Sequence, residues 1–120
     1  MEEQKPYDLG ERTFQYAKRT RAFIKKLKRT VTNIDDLSQL NRASGSVGAN
    51  YIEAEENLGD NDFYMRIKIC RKEAKESVYW LQLLDMEFNP ELVEERDYLI
   101  NEGDQLKRIF GSIISKRKKP

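Results

Sequence analysis

Apolar residues recur along this chain at steps of three and four, the spacing of one helical face, and nowhere at steps of two. Four segments carry the pattern. The first predicts a helix from about Asp8 to Thr30, with Thr13, Ala17, Thr20, Ile24, Leu27 and Val31 facing inward and Phe14, Tyr16 and Phe23 on the flanks. The second predicts a helix over 34–57, with Leu37, Leu40, Ser44, Val47, Tyr51, Ala54 and Leu58 as its seam. A third, reaching about Met86, carries Phe63, Ile67, Cys70, Ala74, Ser77, Leu81 and Leu84. The fourth places Leu92, Leu99, Leu106 and Ile113 at seven-residue steps, with Ile109 and Phe110 beside them.

The breaks have their own chemistry. Thr32-Asn33 offers an N-cap with an acid about three residues on. Gly59 suits a C-terminal cap, and Asp60 or Asn61 the next N-cap. Asn89-Pro90-Glu91 reads as an N-cap, a proline at the first helical position and an acid in the first turn. Short connections imply neighbours of opposite direction, so the expected fold is all-α: an antiparallel up-down-up-down four-helix bundle. Residues 1–7 read as a flexible leader, 8–115 as the bundle and 116–120 as a basic tail.

The second helix is unusual in its small and polar content. Gly45 and Gly48 each cost about 1 kcal/mol relative to alanine inside a helix. That cost is accepted where a neighbouring helix must come close. Pairing the second and third helices about the turn near residue 59 puts Glu53 near Arg66, Ser46 near Glu73, and Arg42 near Glu76 or Ser77. A half-buried network of Arg42, Ser46, Asn50, Glu53, Arg66, Glu73 and Glu76 is the structural expectation, because buried charges must be paired. The competing reading, a carboxylate metal site from Glu53, Glu56, Glu73 and Glu76, lacks the histidines that di-iron bundles use.

The chain contains no histidine. That excludes His-based acid–base catalysis, Ser-His-Asp and Cys-His pairs, and His-liganded zinc or iron. No glycine-rich phosphate loop is present. No enzyme activity, cofactor or metal is expected. Cys70, the single cysteine, sits on a core seam and reads as a buried small hydrophobe. No segment is apolar over the roughly 18 residues a membrane span needs, and no signal pattern opens the chain, so the expected location is cytoplasmic.

The net charge of +1 conceals a segregation. From Arg12 to Arg29 every charged residue is basic, whereas Asp85 to Asp104 holds eight acids against Arg96 alone. Lys18, Arg19, Arg21, Lys25, Lys26, Lys28 and Arg29 form a basic face on the first helix, joined by Lys116, Arg117, Lys118 and Lys119 in the tail. Such a stripe can follow a phosphate backbone without reading sequence, and Tyr16 and Phe23 would stack on bases if exposed. The other readings are a plain solvated helix face, or a face that pairs with the acidic fourth helix of a neighbouring subunit. Ile69 and Tyr79-Trp80 fall off the third seam, as a broadened core face or a subunit interface would require.

Arg42-Ala43-x-x-Ser46-Val47-Gly48-x-Asn50-Tyr51-x-Glu53-Ala54, then Asp62-Phe63, then Lys72-Glu73-Ala74-x-Glu76-Ser77-x-Tyr79-Trp80-Leu81, resembles the four helix bundle protein family, first noticed in intervening sequences of bacterial 23S ribosomal RNA genes. The resemblance spans about residues 9 to 114; Cys70-Arg71 departs from the small or apolar residues usual there. It implies a four-helix protomer that assembles into a ring, commonly a homopentamer. A related branch, the accessory variability proteins of diversity-generating retroelements, binds nucleic acid and associates with a reverse transcriptase. The expected function is therefore a non-enzymatic, oligomeric protein that binds RNA or DNA backbones, with a reverse transcriptase as a partner of the retroelement branch. The alternative is a ring-forming adaptor that binds another protein and uses its charges for assembly.

Overall fold

A computed structural model describes residues 8–117 of the chain. Its helices are α1 (Leu9–Lys26), α2 (Ile34–Glu55), α3 (Asp60–Leu83) and α4 (Val93–Ser115), with a single 3-10 turn at Pro90–Leu92 leading into α4. There is no strand among the described residues. Each helix packs on its sequence neighbour, and α4 also meets α1. Leu40, Ile67, Leu81, Leu99, Leu106 and Phe110 fill one continuous core and are fully buried. Burying side chains of this size stabilises by about 1.5–3 kcal/mol each.

The inward line of α1 is Leu9, Thr13, Tyr16, Thr20, Phe23 and Leu27. This corrects the sequence expectation. Tyr16 and Phe23 are core residues, while Ala17 and Ile24 are half-buried and Phe14 faces solvent. The reason lies on α4. Gly103 leaves room beside the Tyr16 hydroxyl, so a large ring can point inward where an alanine at 17 would leave a void. Neither aromatic is available to stack on a base.

Helix α1 also stops four residues before the expected Thr30. Leu27 is extended, its N–H bonding Ile24 O at 3.2 Å. Thr30-Val31-Thr32 is a β-branched run with low helix propensity. Val31, expected inward, is 96% exposed. Leu58, expected on the α2 seam, is 93% exposed because α2 ends at Glu55.

Four capping expectations fail, among them the N-cap at Asp60 or Asn61, whose place Gly59 takes. Gly59 precedes α3 at φ 135° as its N-cap, a conformation that favours glycine, and does not close α2. Asn33 and Asn89 occupy N-cap positions and their carbonyls accept from Leu37 and Leu92 N–H, but their side chains bond no N–H of their own helices. The Asn33 side chain instead donates to Asp85 O at 2.8 Å and accepts from Asp85 N–H at 2.9 Å. Asn89 Oδ1 accepts from the Lys28 N–H at 2.9 Å. The two asparagines tie the α1–α2 and α3–α4 connections together at one end of the bundle.

Gly48 does what its position suggested: a Cβ there would sit 3.1 Å from Thr13 Oγ1, so α1 and α2 approach closely. At Gly45 the neighbour is the Arg21 guanidinium, 3.2 Å from where a Cβ would be.

Candidate nucleic-acid interface

Helix α1 presents its cations to two different neighbours. On the α4 side, Arg12 donates to both carboxylate oxygens of Glu102 at 2.8 and 2.9 Å, and to Gln105. One turn pair further on, Arg19 donates to both oxygens of Glu95 at 2.6 and 2.8 Å. Its guanidinium also stacks 3.5 Å from the Tyr98 ring centroid. Arg19 holds the Glu95 carboxyl below the usual carboxylate range. These acids belong to the same chain, so this part of the charge segregation is consumed within one protomer. Arg19, expected to contact phosphate, is committed elsewhere.

On the α2 side the picture is different. Arg21, Lys25 and Arg29 line a cavity of about 640 Å³ together with Ile24, Ile34, Leu37, Ser38 and Asn41. No carboxylate lines it; Asp35 and Asp36 stand in the first turn of α2 outside it. Arg21 Nε donates to Asn41 Oδ1 at 3.1 Å, and its arm lies across Gly45. The guanidinium is thus oriented by a neutral partner and keeps its charge uncompensated. Lys25 and Arg29 form no ion pair with the described residues. In this groove three of the helix 1 cations converge on a concave surface.

The remaining predicted cations are scattered. Lys18 lies over the Phe14 ring at 5.7 Å and Lys28 over Phe88 at 4.9 Å. Lys26 and Lys116 are exposed. Arg117 donates to Asn61 Oδ1 and stacks 4.7 Å over Tyr64, which directs it onto α3. Lys118, Lys119 and residues 1–7 lie outside the described residues.

The polar network forms in two pieces. Arg42 meets Glu73 and Glu76 at 3.4 Å each, and Glu73 is only 8% exposed. Asn50 donates to Ser46 O at 2.9 Å and to Ser46 Oγ at 3.1 Å, and accepts from Arg66 at 3.3 Å. Two expected contacts are replaced. Ser46 bonds Asn50, with no bond to Glu73, and Glu53 is exposed with no ion pair to Arg66. Asn50 with Arg66, and Val47 O with the Cys70 thiol at 3.4 Å, set a tighter register than the turn suggested. Arg66 turns to Asp62 at 3.8 Å. Burial pushes the Cys70 thiol up to about 12, so it is not a nucleophile at neutral pH. No group of three Asp, Glu, Cys or His side chains is gathered to hold a metal among the described residues, and no described helix is long and apolar enough to cross a membrane.

The comparisons with known proteins agree with the fold. A crystal structure of a protein of unknown function from the S23 ribosomal protein family of Bacteroides thetaiotaomicron is 28% identical to this chain. It superposes with a TM-score of 0.75, covering 88% of this chain and 97% of that one. No curated protein matches. The family model described as 23S rRNA-intervening sequence protein matches residues 7–112, nearly the whole bundle, and the chain belongs to that family.

Proposed function

We propose that this chain is a non-enzymatic nucleic-acid-binding protein that holds a phosphodiester backbone in the α1–α2 groove. Arg21, Lys25 and Arg29 make the phosphate contacts, and Lys18 and Lys26 on the same helix add to the field around it, whereas Lys116 stands at the far end of the bundle beside Arg117. The observation that carries the reading is the division of labour on α1. Arginines facing α4 are neutralised by Glu95 and Glu102, whereas the three cations facing α2 have no carboxylate and share one groove. Uncompensated charge on a concave surface is what a polyanion seeks, and release of its counterions supplies the affinity. Nothing in the groove reads base edges through a rigid helix or ribbon, so binding is independent of sequence.

The charge-assembly part of the adaptor reading loses ground on the same observation, because Glu95 and Glu102 of α4 are already paired with α1 inside the protomer. The finer assignment, an accessory factor for a retroelement reverse transcriptase, follows from the resemblance alone. Copurification of such an enzyme from the native host tests it.

The groove itself is tested by fluorescence anisotropy with a labelled duplex. Three phosphate contacts give a logarithmic salt slope near −2.7, so affinity should fall about 40-fold between 50 and 200 mM salt. Replacing Arg21, Lys25 and Arg29 by glutamine should abolish binding, and replacing Arg12 and Arg19 should leave it. Equal effects from both sets would refute the groove as the site.

A further inference from the structure

The groove between α1 and α2 is charged at its rim and apolar beneath. Arg21, Lys25 and Arg29 recur at steps of four along one edge, and all three are exposed. Ile24, Ile34 and Leu37 make up the apolar lining. Leu37 is buried and Ile24 half-buried, as the edge of a core requires. Ile34 is different: it lines the same cavity and is 53% exposed.

Phosphate contacts alone make no use of Ile34. A duplex keeps its bases paired and stacked away from the protein, so it covers the cations and leaves the isoleucine in water. A nucleotide with a free base meets both parts of the groove. Its phosphates take the cations, and the flat face of its base takes the apolar wall. We infer that the groove selects single-stranded over double-stranded nucleic acid. One unpaired base lies on Ile34 and Ile24, and Arg21, Lys25 and Arg29 hold the phosphates around it. This rests on the nucleic-acid reading of the groove and names the class of nucleic acid it takes.

Asn41 suits the same occupant. Its Oδ1 accepts from Arg21 Nε at 3.1 Å, and its amide nitrogen has no partner among the described residues. A donor is therefore left in the cavity for an acceptor on a base edge, which every base carries. An aliphatic wall accepts any base face, so the selection is for strandedness and not for sequence. Grooves for single strands commonly stack bases on aromatic rings. Here Tyr16 and Phe23 are in the core and the platform is aliphatic, so a modest preference is expected.

Fluorescence anisotropy with three labelled ligands of equal length tests this: an oligo-dT strand, that strand paired with oligo-dA, and an abasic strand. With three phosphate contacts, affinity should fall about 20-fold between 50 and 200 mM salt for the strand and about 40-fold for the duplex. Extrapolated to about 1 M salt, where the counterion contribution vanishes, the oligo-dT strand should bind about tenfold tighter than the duplex or the abasic strand. Ile34→Ser should erase that preference and leave both salt slopes unchanged, because no charge is lost. Ile34→Tyr should widen it by supplying a ring. Circular dichroism reports whether the helices of each variant are intact, and the abasic strand tests the base contact on the native chain. Equal affinities for the three ligands at high salt, or a strand preference that survives Ile34→Ser, would overturn the base contact and leave the phosphate groove standing. Salt-dependent binding to none of the three would refute the nucleic-acid reading itself.

Discussion

Asn33 and Asp85 exchange two hydrogen bonds as two strands would, although neither lies in a strand. The Asn33 amide group donates to Asp85 O at 2.8 Å, and its Oδ1 accepts from Asp85 N–H at 2.9 Å. Asn33 is almost wholly buried, while Asp85 is half-buried. The side chain satisfies the peptide that follows α3 and anchors the turn that precedes α2. Asn33→Ala should cost about 1–2 kcal/mol, since it leaves the Asp85 N–H and C=O without their partner in a half-buried site. Denaturant unfolding measures this. A loss under about 0.5 kcal/mol would mean that solvent reaches the site and serves Asp85 instead.

The Arg19–Glu95 pair makes a prediction about acid. Glu95 titrates below the usual carboxylate range because Arg19 bonds its charged form. Its contribution to stability is therefore complete above that range and is lost as pH falls through the lowered value. Arg19→Gln should flatten the acid limb of the stability profile. At neutral pH the loss should be about 0.5–1 kcal/mol, because the pair is partly exposed and screened. Nucleic-acid affinity should stay within about twofold, since this arginine does not face the groove. A larger loss of affinity would move the binding surface to the α4 side.

Most of the helical architecture was legible, because the core seams of α2, α3 and α4 keep the three-four spacing through Leu40, Val47, Ile67, Leu81, Leu99 and Leu106. The start of α2 was equally plain. The end of α1 was less plain: the β-branched run Thr30-Val31-Thr32 is a weak local signal, and the stronger determinants are remote, the Lys28 N–H taken by Asn89 and Asn33 drawn to Asp85. Local pattern reads both asparagines as caps. The candidate site was legible as a basic helix, yet its division into two faces was missed. A signal existed: Arg12 and Arg19 stand seven apart, as do Glu95 and Glu102, which matches two helices side by side. The groove also needed Asn41 and Gly45 to orient Arg21, and these only acquire meaning once α1 lies on α2.

Gly103 and Tyr16 supply a last test of how the core chose its aromatic. A Cβ at residue 103 would lie 2.8 Å from the Tyr16 hydroxyl and 2.8 Å from Val78 Cγ2. Alanine is favoured over glycine in a helix by about 1 kcal/mol, but crowding a filled core costs about 1–3 kcal/mol. Crowding should win here, because Val78 is β-branched and has little freedom to turn away. Gly103→Ala is thus expected to destabilise by about 1 kcal/mol. The Tyr16 hydroxyl is buried near Ser77 without reaching hydrogen-bond geometry, and burial pushes its pKa up. Tyr16→Phe removes an unpaired polar atom and should be neutral or stabilising by up to about 1 kcal/mol. It also removes one of the two crowding atoms, so the double variant should recover part of the Gly103→Ala loss. A double-mutant cycle by thermal unfolding measures the coupling, expected at about 0.5–1 kcal/mol. Strict additivity would mean that Val78 alone enforces the glycine, and that the inward turn of Tyr16 does not depend on it.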